Sequence, residues 1–587
     1  MDPNQTIKIR LLITLIFSIF CIPVLLQVSA ASYIIESKKN TALSKKSAET
    51  LSQIMSRSEI AWGEIAEIDL KNLIRADTLF CILDNEQVEL FATYHTEGVD
   101  YYYTHYESSD KDAHAYLSVL TNNIQIDIST SLGVYNIYSI SESEVALLRL
   151  ESDIPEEPAH NETIFNEEIP IRDAIEEDYP TRSMTPVIRV LFVYTNAALN
   201  LMGSYQPYIQ MKQVVYNYIN KANESFIHSN IDAHMQLAYI GPITYDETSQ
   251  TWSDVLDHFC NNNDGYMDEV HNLRDKYTAD VCVLFLDKND YCGEARTIKA
   301  NANTAFCLVN PTGFCNNKFT AVHEIGHLIG CRHNYEQDMN LIPYAYGHGY
   351  IHYENNNPSS SWRTMMAYDN SCATGCGRIP YWSNPDVYYN GIVTGTSSIA
   401  NNARVWNNRA SIVADFRTTP DNISYTNTDN NYSSIFESVE ANTQIITGSG
   451  YEIQSGQIVE FRTSSSIRFL PNTNIKKGAY FRAYIHSSAN IGSYPQFAPV
   501  NNESSFNKEE SIVREHKLSI YPNPAIDIIN VNYDEELMEI CIYSIDGELM
   551  HRGFNTSIHV SSFPDGLYIV HAKSSDGKSL QGKFLKR

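Results

Sequence analysis

Ala321-Val-His-Glu-Ile-Gly-His-Leu-Ile-Gly-Cys-Arg-His333 places three histidines and a glutamate within eleven residues, in an otherwise apolar run. His323 and His327 are four apart, so on a helix both imidazoles leave one face and can share a metal ion. Glu324 lies one step round from His323, beside such an ion, where it can take a proton from bound water. Gly330 comes where the helix must end for the chain to turn, since glycine accepts positive φ without a Cβ penalty. That turn returns His333 as a third ligand. Three imidazoles leave the fourth tetrahedral position open to water, as catalytic zinc sites require. Ala321, Val322, Ile325, Leu328 and Ile329 fill the other positions, as a core-facing helix needs.

His323-Glu-Ile-Gly-His-Leu-Ile-Gly-Cys-Arg-His333 resembles H-E-x-x-H-x-x-G-x-x-H, the metzincin signature. Arg363-Thr-Met-Met-Ala-Tyr368 is similar to the methionine turn of that family, with Met366 as the turn residue. Arg378-Ile-Pro-Tyr-Trp-Ser-Asn-Pro385 and Asn401-Asn-Ala-Arg-Val405 resemble the reprolysin-like branch of secreted bacterial peptidases. The resemblance covers residues 185–418. It implies an α/β metzincin catalytic domain, a twisted mixed sheet plus an active-site helix. One zinc ion would be held by His323, His327 and His333, with Glu324 as general base of peptide hydrolysis. Tyr368 resembles the extra tyrosine ligand of astacins and serralysins, which makes it a candidate fifth ligand or oxyanion stabiliser; packing under the zinc is the other reading. Asn334 departs from adamalysin-type relatives, which carry Asp there. The candidate strand for lining up an extended substrate is Thr304-Ala305-Phe306.

A chain of 587 residues predicts about three to five domains. A net charge of −28 excludes nucleic acid as the main partner and keeps an exported protein soluble. Lys8 and Arg10 precede the apolar run Leu11–Leu26 and the small-x-small Val28-Ser-Ala30, which predicts an export signal over residues 1–30. Eight cysteines fall between Cys260 and Cys376, among them Cys331, and an even cluster in an exported chain predicts a disulfide framework.

Residues 32–184 read as a β-rich, propeptide-like domain followed by an acidic linker, as in Glu156-Glu-Pro158, with Thr181-Arg-Ser183 as an accessible cleavage point. Cys81 is the candidate latency switch for the zinc, although its apolar run Leu79-Phe-Cys-Ile-Leu83 also suits a buried structural cysteine. The apolar runs Val187–Tyr194 and Val281–Leu286 predict buried strands of the catalytic domain, and the pattern Ile209–Phe226 predicts a helix. Residues 420–432 read as a linker, 434–500 as a small β module, and no long repeat is evident. Residues 515–587 read as a β-sandwich: Leu518-Ser-Ile-Tyr-Pro-Asn-Pro524 and Phe563-Pro-Asp-Gly-Leu-Tyr568 closely resemble the C-terminal sorting domain of bacterial type IX secretion cargo.

The expected protein is therefore a secreted zinc endopeptidase made as a zymogen. Its partners are protein or peptide substrates and the outer-membrane secretion machinery, and it is released or attached to the cell surface after passing through the periplasm. The alternative is a surface-binding or adhesive protein with an inactive metzincin domain. For calcium, Asn261-Asn-Asn-Asp-Gly265 loosely resembles a binding loop, and a solvated turn explains the same residues.

Overall fold

The computed structural model describes residues 32–35, 45–158, 185–485 and 518–586, apart from short breaks at 85, 98–100, 143, 153, 204, 355–359, 369–371, 373–375, 522–524, 534–536, 545–548 and 575–578. The predicted export signal and the cleavage point at 181–183 lie outside these residues. The chain divides into two units, residues 1–500 and 501–587.

The catalytic region is a twisted sheet covered on both faces. Strand β1 (Val187–Tyr194) pairs in parallel with β2 (His234–Pro242) on one side and with β3 (Val281–Phe285) on the other. Between β1 and β2 runs helix α1 (Pro207–His228); α2 (Trp252–Cys260) and α3 (Glu269–Lys276) lie between β2 and β3. The short β4 (Gly293–Ala295) is the edge strand, antiparallel to β5 (Phe306–Val309), which in turn lies parallel to β3. Side chains alternate across the sheet, so β1 feeds both layers. Ile188, Val190, Phe192 and Tyr194 pack with α1 and with the motif helix α4 (Thr320–Ile329). Leu191 and Val193 pack with Trp252, Val255 and Phe259 of α2. A last helix, α5 (Asn402–Val413), closes the α4 side through Val405 and Trp406.

The N-terminal domain is a nine-stranded, almost wholly antiparallel sheet, with one parallel pair between Ser32–Ile35 and Thr78–Leu83. It packs directly on α1. Gln210, Gln213, Asn217, Lys221 and Glu224 recur at three- and four-residue steps, so they form one polar helix face, and all are buried. Gln213 Nε2 donates to the Ser118 and Asn123 carbonyls, and Lys221 Nζ pairs with Asp127 at 2.8 Å. A helix with such a face suits burial against a partner that supplies polar groups, and the N-terminal sheet is that partner.

The region after α5 differs from the reading of a linker plus a small module. Strands Asn422–Tyr425, Gln444–Thr447 and Ser466–Phe469 stack in parallel, and so do Phe436–Ala441, Ile458–Thr463 and Tyr480–Ile485. Each partner lies 22 residues further along the chain, as in Asn422↔Gln444↔Ser466. This is a short stack of parallel coils, and the repeat is one of backbone pairing and not of residue identity. The stack joins the catalytic sheet through Tyr239↔Glu437. The polar residues 420–432 include the strand Asn422–Tyr425 and so belong to the first coil.

The second unit has a three-stranded and a four-stranded antiparallel sheet sharing one core around Ile529, Ile540, Val570 and Phe584. Among the described residues no helix is long and apolar enough to cross a membrane.

Candidate active site

Helix α4 runs through the core with every residue buried, and ends at Gly330. There φ is +125°, and the Cys331 amide bonds back to the Gly326 carbonyl at 2.9 Å. The turn brings His333 back to His323 and His327, with Nε2–Nε2 separations of 3.2 and 2.9 Å. His323 Nδ1 lies 2.8 Å from the Met365 carbonyl and His327 Nδ1 lies 2.9 Å from the Cys331 carbonyl. A carbonyl only accepts, so both Nδ1 atoms carry the proton and both Nε2 lone pairs face the site. Burial pushes the His333 pKa well below its ordinary value, which keeps that ring neutral.

The methionine turn lies directly beneath. A Cβ on Gly326 would sit 2.7 Å from Met366 Sδ and 2.8 Å from Trp382, so this helix position must be glycine for Met366 and Trp382 to pack against α4. Tyr368 lies over His333, ring centroids 4.0 Å apart, and its amide donates to Asn334 Oδ1 at 3.1 Å. Asn334 therefore fastens the methionine turn to the end of the histidine motif. Burial, followed by the charges of Glu157 and Glu156, raises the Tyr368 phenol.

Glu324 is fully buried, and neither carboxylate oxygen has a hydrogen-bond partner of good geometry; the Ala295 amide contributes only weakly. Burial and then the charges of Glu157 and Glu294 hold its pKa well above the usual carboxylate range. Gly293 leaves room for it: a Cβ there would meet Glu324 Oε1 at 2.5 Å.

A fourth group completes the cluster. Glu157, from the segment between the N-terminal domain and the catalytic region, contacts His323 Nε2 and lies 3.2 Å from His327 Nε2 and 3.0 Å from His333 Nε2. All four ligand atoms lie within 4.8 Å of one another. Two imidazole lone pairs face a carboxylate with no hydrogen to share, an arrangement that a central cation resolves. Nitrogen and oxygen donors of this kind suit zinc. Main-chain bonds fix the segment: the Cys292 amide donates to the Pro155 carbonyl at 2.9 Å and the Gly293 amide to the Glu156 carbonyl at 3.1 Å.

Three sequence expectations change here. Cys81 sits in the core of the N-terminal sheet with Leu79, Leu83 and Leu117, its thiol pushed up to about 12 by burial, and it does not reach the histidines. The residue that does is Glu157. Thr304-Ala305-Phe306 is not the open strand, because Phe306 begins β5, which is paired on both sides; β4 is the edge. The cysteine cluster forms two disulfides, Cys292–Cys315 and Cys372–Cys376. Cys260, Cys282, Cys307 and Cys331 are buried free thiols on separate core elements. The first bridge ties the residue before β4 to the short helix Gly313–Asn317 that precedes α4, and Gly293 of β4 lies against Glu324.

The Asn261–Gly265 loop is organised from within: Asp268 accepts the amides of Asn263, Asp264 and Gly265, so its carboxylate is committed to the turn. Among the described residues the only other group able to hold a cation is His105, Glu107 and His114. There His105 is paired with Glu224 of α1, so the cluster belongs to the interface between the two domains.

Sequence reasoning missed Glu157 as a partner of the histidines. Glu157 is 176 residues before His333, and within an acidic run no spacing marks it out.

Residues 185–383 match the profile of metallo-peptidase family M12, and residues 519–587 match a secretion system C-terminal sorting domain. A peptidyl-Asp metalloendopeptidase of Xanthomonas campestris pv. campestris is 37% identical over 289 residues, 48% of this chain and 65% of the relative. One from Stenotrophomonas maltophilia is 42% identical over 241 residues, covering 40% and 54%. One from Pseudomonas fragi is 32% identical over 169 residues, covering 29% of this chain and 85% of that protein. The chain thus spans between about half and two thirds of the first two relatives. With the profile match spanning the histidine helix and the methionine turn, and a relative 32% identical over 85% of its own length, the chain belongs to the M12 metallopeptidase family.

Proposed function

We propose that the protein is a zinc-dependent endopeptidase, made as a zymogen and exported. Zinc held by His323, His327 and His333 would supply Lewis acidity to the attacking water and the scissile carbonyl. Glu324 takes the proton of that water and later passes it to the leaving amine. Its burial without firm hydrogen bonds supports this role, since a base that is neither solvated nor paired holds a proton readily. The Met365 and Cys331 carbonyls keep the imidazoles in the ligating tautomer. The amides of Cys292 and Gly293 at the sheet edge would receive the substrate backbone.

The single observation that carries the zymogen reading is Glu157 on all three histidines. While that carboxylate stays, water and substrate have no place at the centre. Cleavage within residues 159–184 would let it leave. The matched sorting region supports export, with release or attachment at the cell surface. The relatives' shared name supports substrates with an acidic residue beside the scissile bond.

The test is hydrolysis of denatured protein by the processed chain, with and without chelator, beside Glu324→Gln. Hydrolysis is expected only without chelator, and the variant should bind one zinc yet cut nothing. Activity that survives chelation, or persists in Glu324→Gln, would overturn the assignment.

A further inference from the structure

Beside Glu157, the carboxylate of Glu156 enters a basic recess. Arg363 Nη2 lies 2.8 Å from its Oε1, Arg378 Nη2 2.6 Å from its Oε2, and Lys318 Nζ 3.4 Å from Oε1. Both guanidinium side chains are only 4% exposed. The recess is built, and does not depend on Glu156 for its shape. Arg363 also donates to the Ala367 and Cys376 carbonyls at 2.5 and 3.1 Å, while Arg378 donates to the Ala367 carbonyl at 3.1 Å and to that of Lys318. Ala367 follows Met366, so the turn beneath the metal centre also holds the recess.

The segment lies where a peptide substrate would lie. Its carbonyls take the edge amides of Cys292 and Gly293, one side chain meets the ligand histidines, and the neighbouring side chain fills the recess. We propose that Arg363, Arg378 and Lys318 form the subsite that selects an acidic side chain next to the scissile bond, and that Glu156 is its intramolecular occupant in the zymogen. The proposal rests on the endopeptidase reading and assigns its specificity to residues.

Charge supports it. Arg363, Arg378 and Lys318 all lie within 3.4 Å of the Glu156 carboxylate. Three cations around one carboxylate leave the recess strongly positive. Once Glu156 departs, desolvated guanidiniums face a cleft that a carboxylate neutralises and an amide of the same shape does not. A site built for a partner rejects the isostere that leaves its buried groups unmatched.

The experiment uses the chain activated by cleavage within 159–184 and two peptides differing only by Asp or Asn at one position. Wild type should prefer the Asp peptide by about 100-fold in kcat/KM. Arg378→Gln should bring that ratio below about 5, and Lys318→Gln, at the rim with 20% exposure, should lower it by about 3- to 10-fold. Zinc content and the unfolding midpoint confirm that each variant is folded. A ratio near 1 in wild type, or one unchanged in both variants, overturns the proposal. A second readout is independent of hydrolysis: calorimetric binding of the Ile154–Pro158 peptide to activated Glu324→Gln. Replacing Glu156 by Gln in that peptide should weaken binding at least about 10-fold. Equal affinity overturns the subsite even where peptides are cut, whereas tighter binding of the acidic peptide without any hydrolysis would sink the endopeptidase reading and leave the subsite standing.

Discussion

Lys221 Nζ of helix α1 and Asp127 Oδ2 of the N-terminal sheet meet at 2.8 Å with neither side chain exposed. Asn316, just before the motif helix, joins them: its side chain also donates to Asp127, and its carbonyl accepts from Lys221 at 3.1 Å. Removing one partner strands the other charge. Asp127→Ala should destabilise the full-length chain by about 3–5 kcal/mol, read as a lowered denaturant midpoint. Replacing both residues with apolar ones of similar size should restore most of that loss. A single variant as stable as wild type would show that the pair does not hold the domains together.

Glu157→Ala removes the carboxylate from the histidines while leaving the N-terminal domain in place. The unprocessed variant should cleave a short peptide at least about 10-fold faster than the unprocessed wild type, since a charge-assisted contact has been lost. An uncut chain that stays equally silent would show that coverage by the domain alone enforces latency.

Gly293→Ala puts a methyl group 2.5 Å from Glu324 Oε1 and 2.6 Å from Thr320. Displacing Glu324 or the strand should lower kcat/KM by about 100-fold, because small misplacements at the reacting centre are costly. Zinc should remain bound, as the three histidines are untouched. Metal analysis and peptide kinetics on the activated chain check both halves.

Asn334→Ala leaves the Tyr368 amide without its 3.1 Å acceptor and frees the methionine turn from the histidine motif. A loss of about 1–2 kcal/mol in stability is expected, with weaker zinc retention in competition with a chelator. Asn334→Asp keeps an acceptor and should retain both properties. Identical zinc retention in Asn334→Ala would remove Asn334 from the support of the centre.

His114 offers a test by pH. It is buried, and burial lowers its pKa from the ordinary 6.5 to about 4. Its Nε2 faces the Tyr389 hydroxyl of the catalytic region at 3.5 Å. Between about pH 6.5 and 4 the unfolded chain binds a proton there that the folded chain excludes, so this residue makes stability fall as pH falls, by about 3 kcal/mol across the window. His114→Gln should shrink the drop in melting temperature between pH 7 and pH 4.5. An unchanged drop would assign the acid sensitivity to other groups.

Local regularity made much of the centre legible. Four-residue spacing on a helix places His323 and His327 together whatever surrounds them, and Gly330 announces the turn that returns His333. Met366 was recognisable by its distance from that motif. The apolar runs of β1 and β3 marked buried strands, because a strand covered on both faces excludes polar residues all along its length.

Other features depended on which distant segments meet. Gly293–Ala295 is the sheet edge only because Phe306–Val309 is paired on both sides, and no short apolar run states its neighbours. Cys292 finds Cys315 while four other cysteines end on separate core elements, a matter of Cβ geometry and not of count. The 22-residue coils after residue 420 repeat in backbone pairing without repeating residues. Glu157 and Glu156 differ from their acidic neighbours only in where the folded N-terminal domain delivers them. By itself, then, the sequence determined a cluster of histidines with a neighbouring glutamate, since helical periodicity is a property of neighbouring residues. Only tertiary structure decided that Glu157 lies on those histidines and Glu156 in the adjoining basic recess, because both rest on contacts between segments more than 150 residues apart.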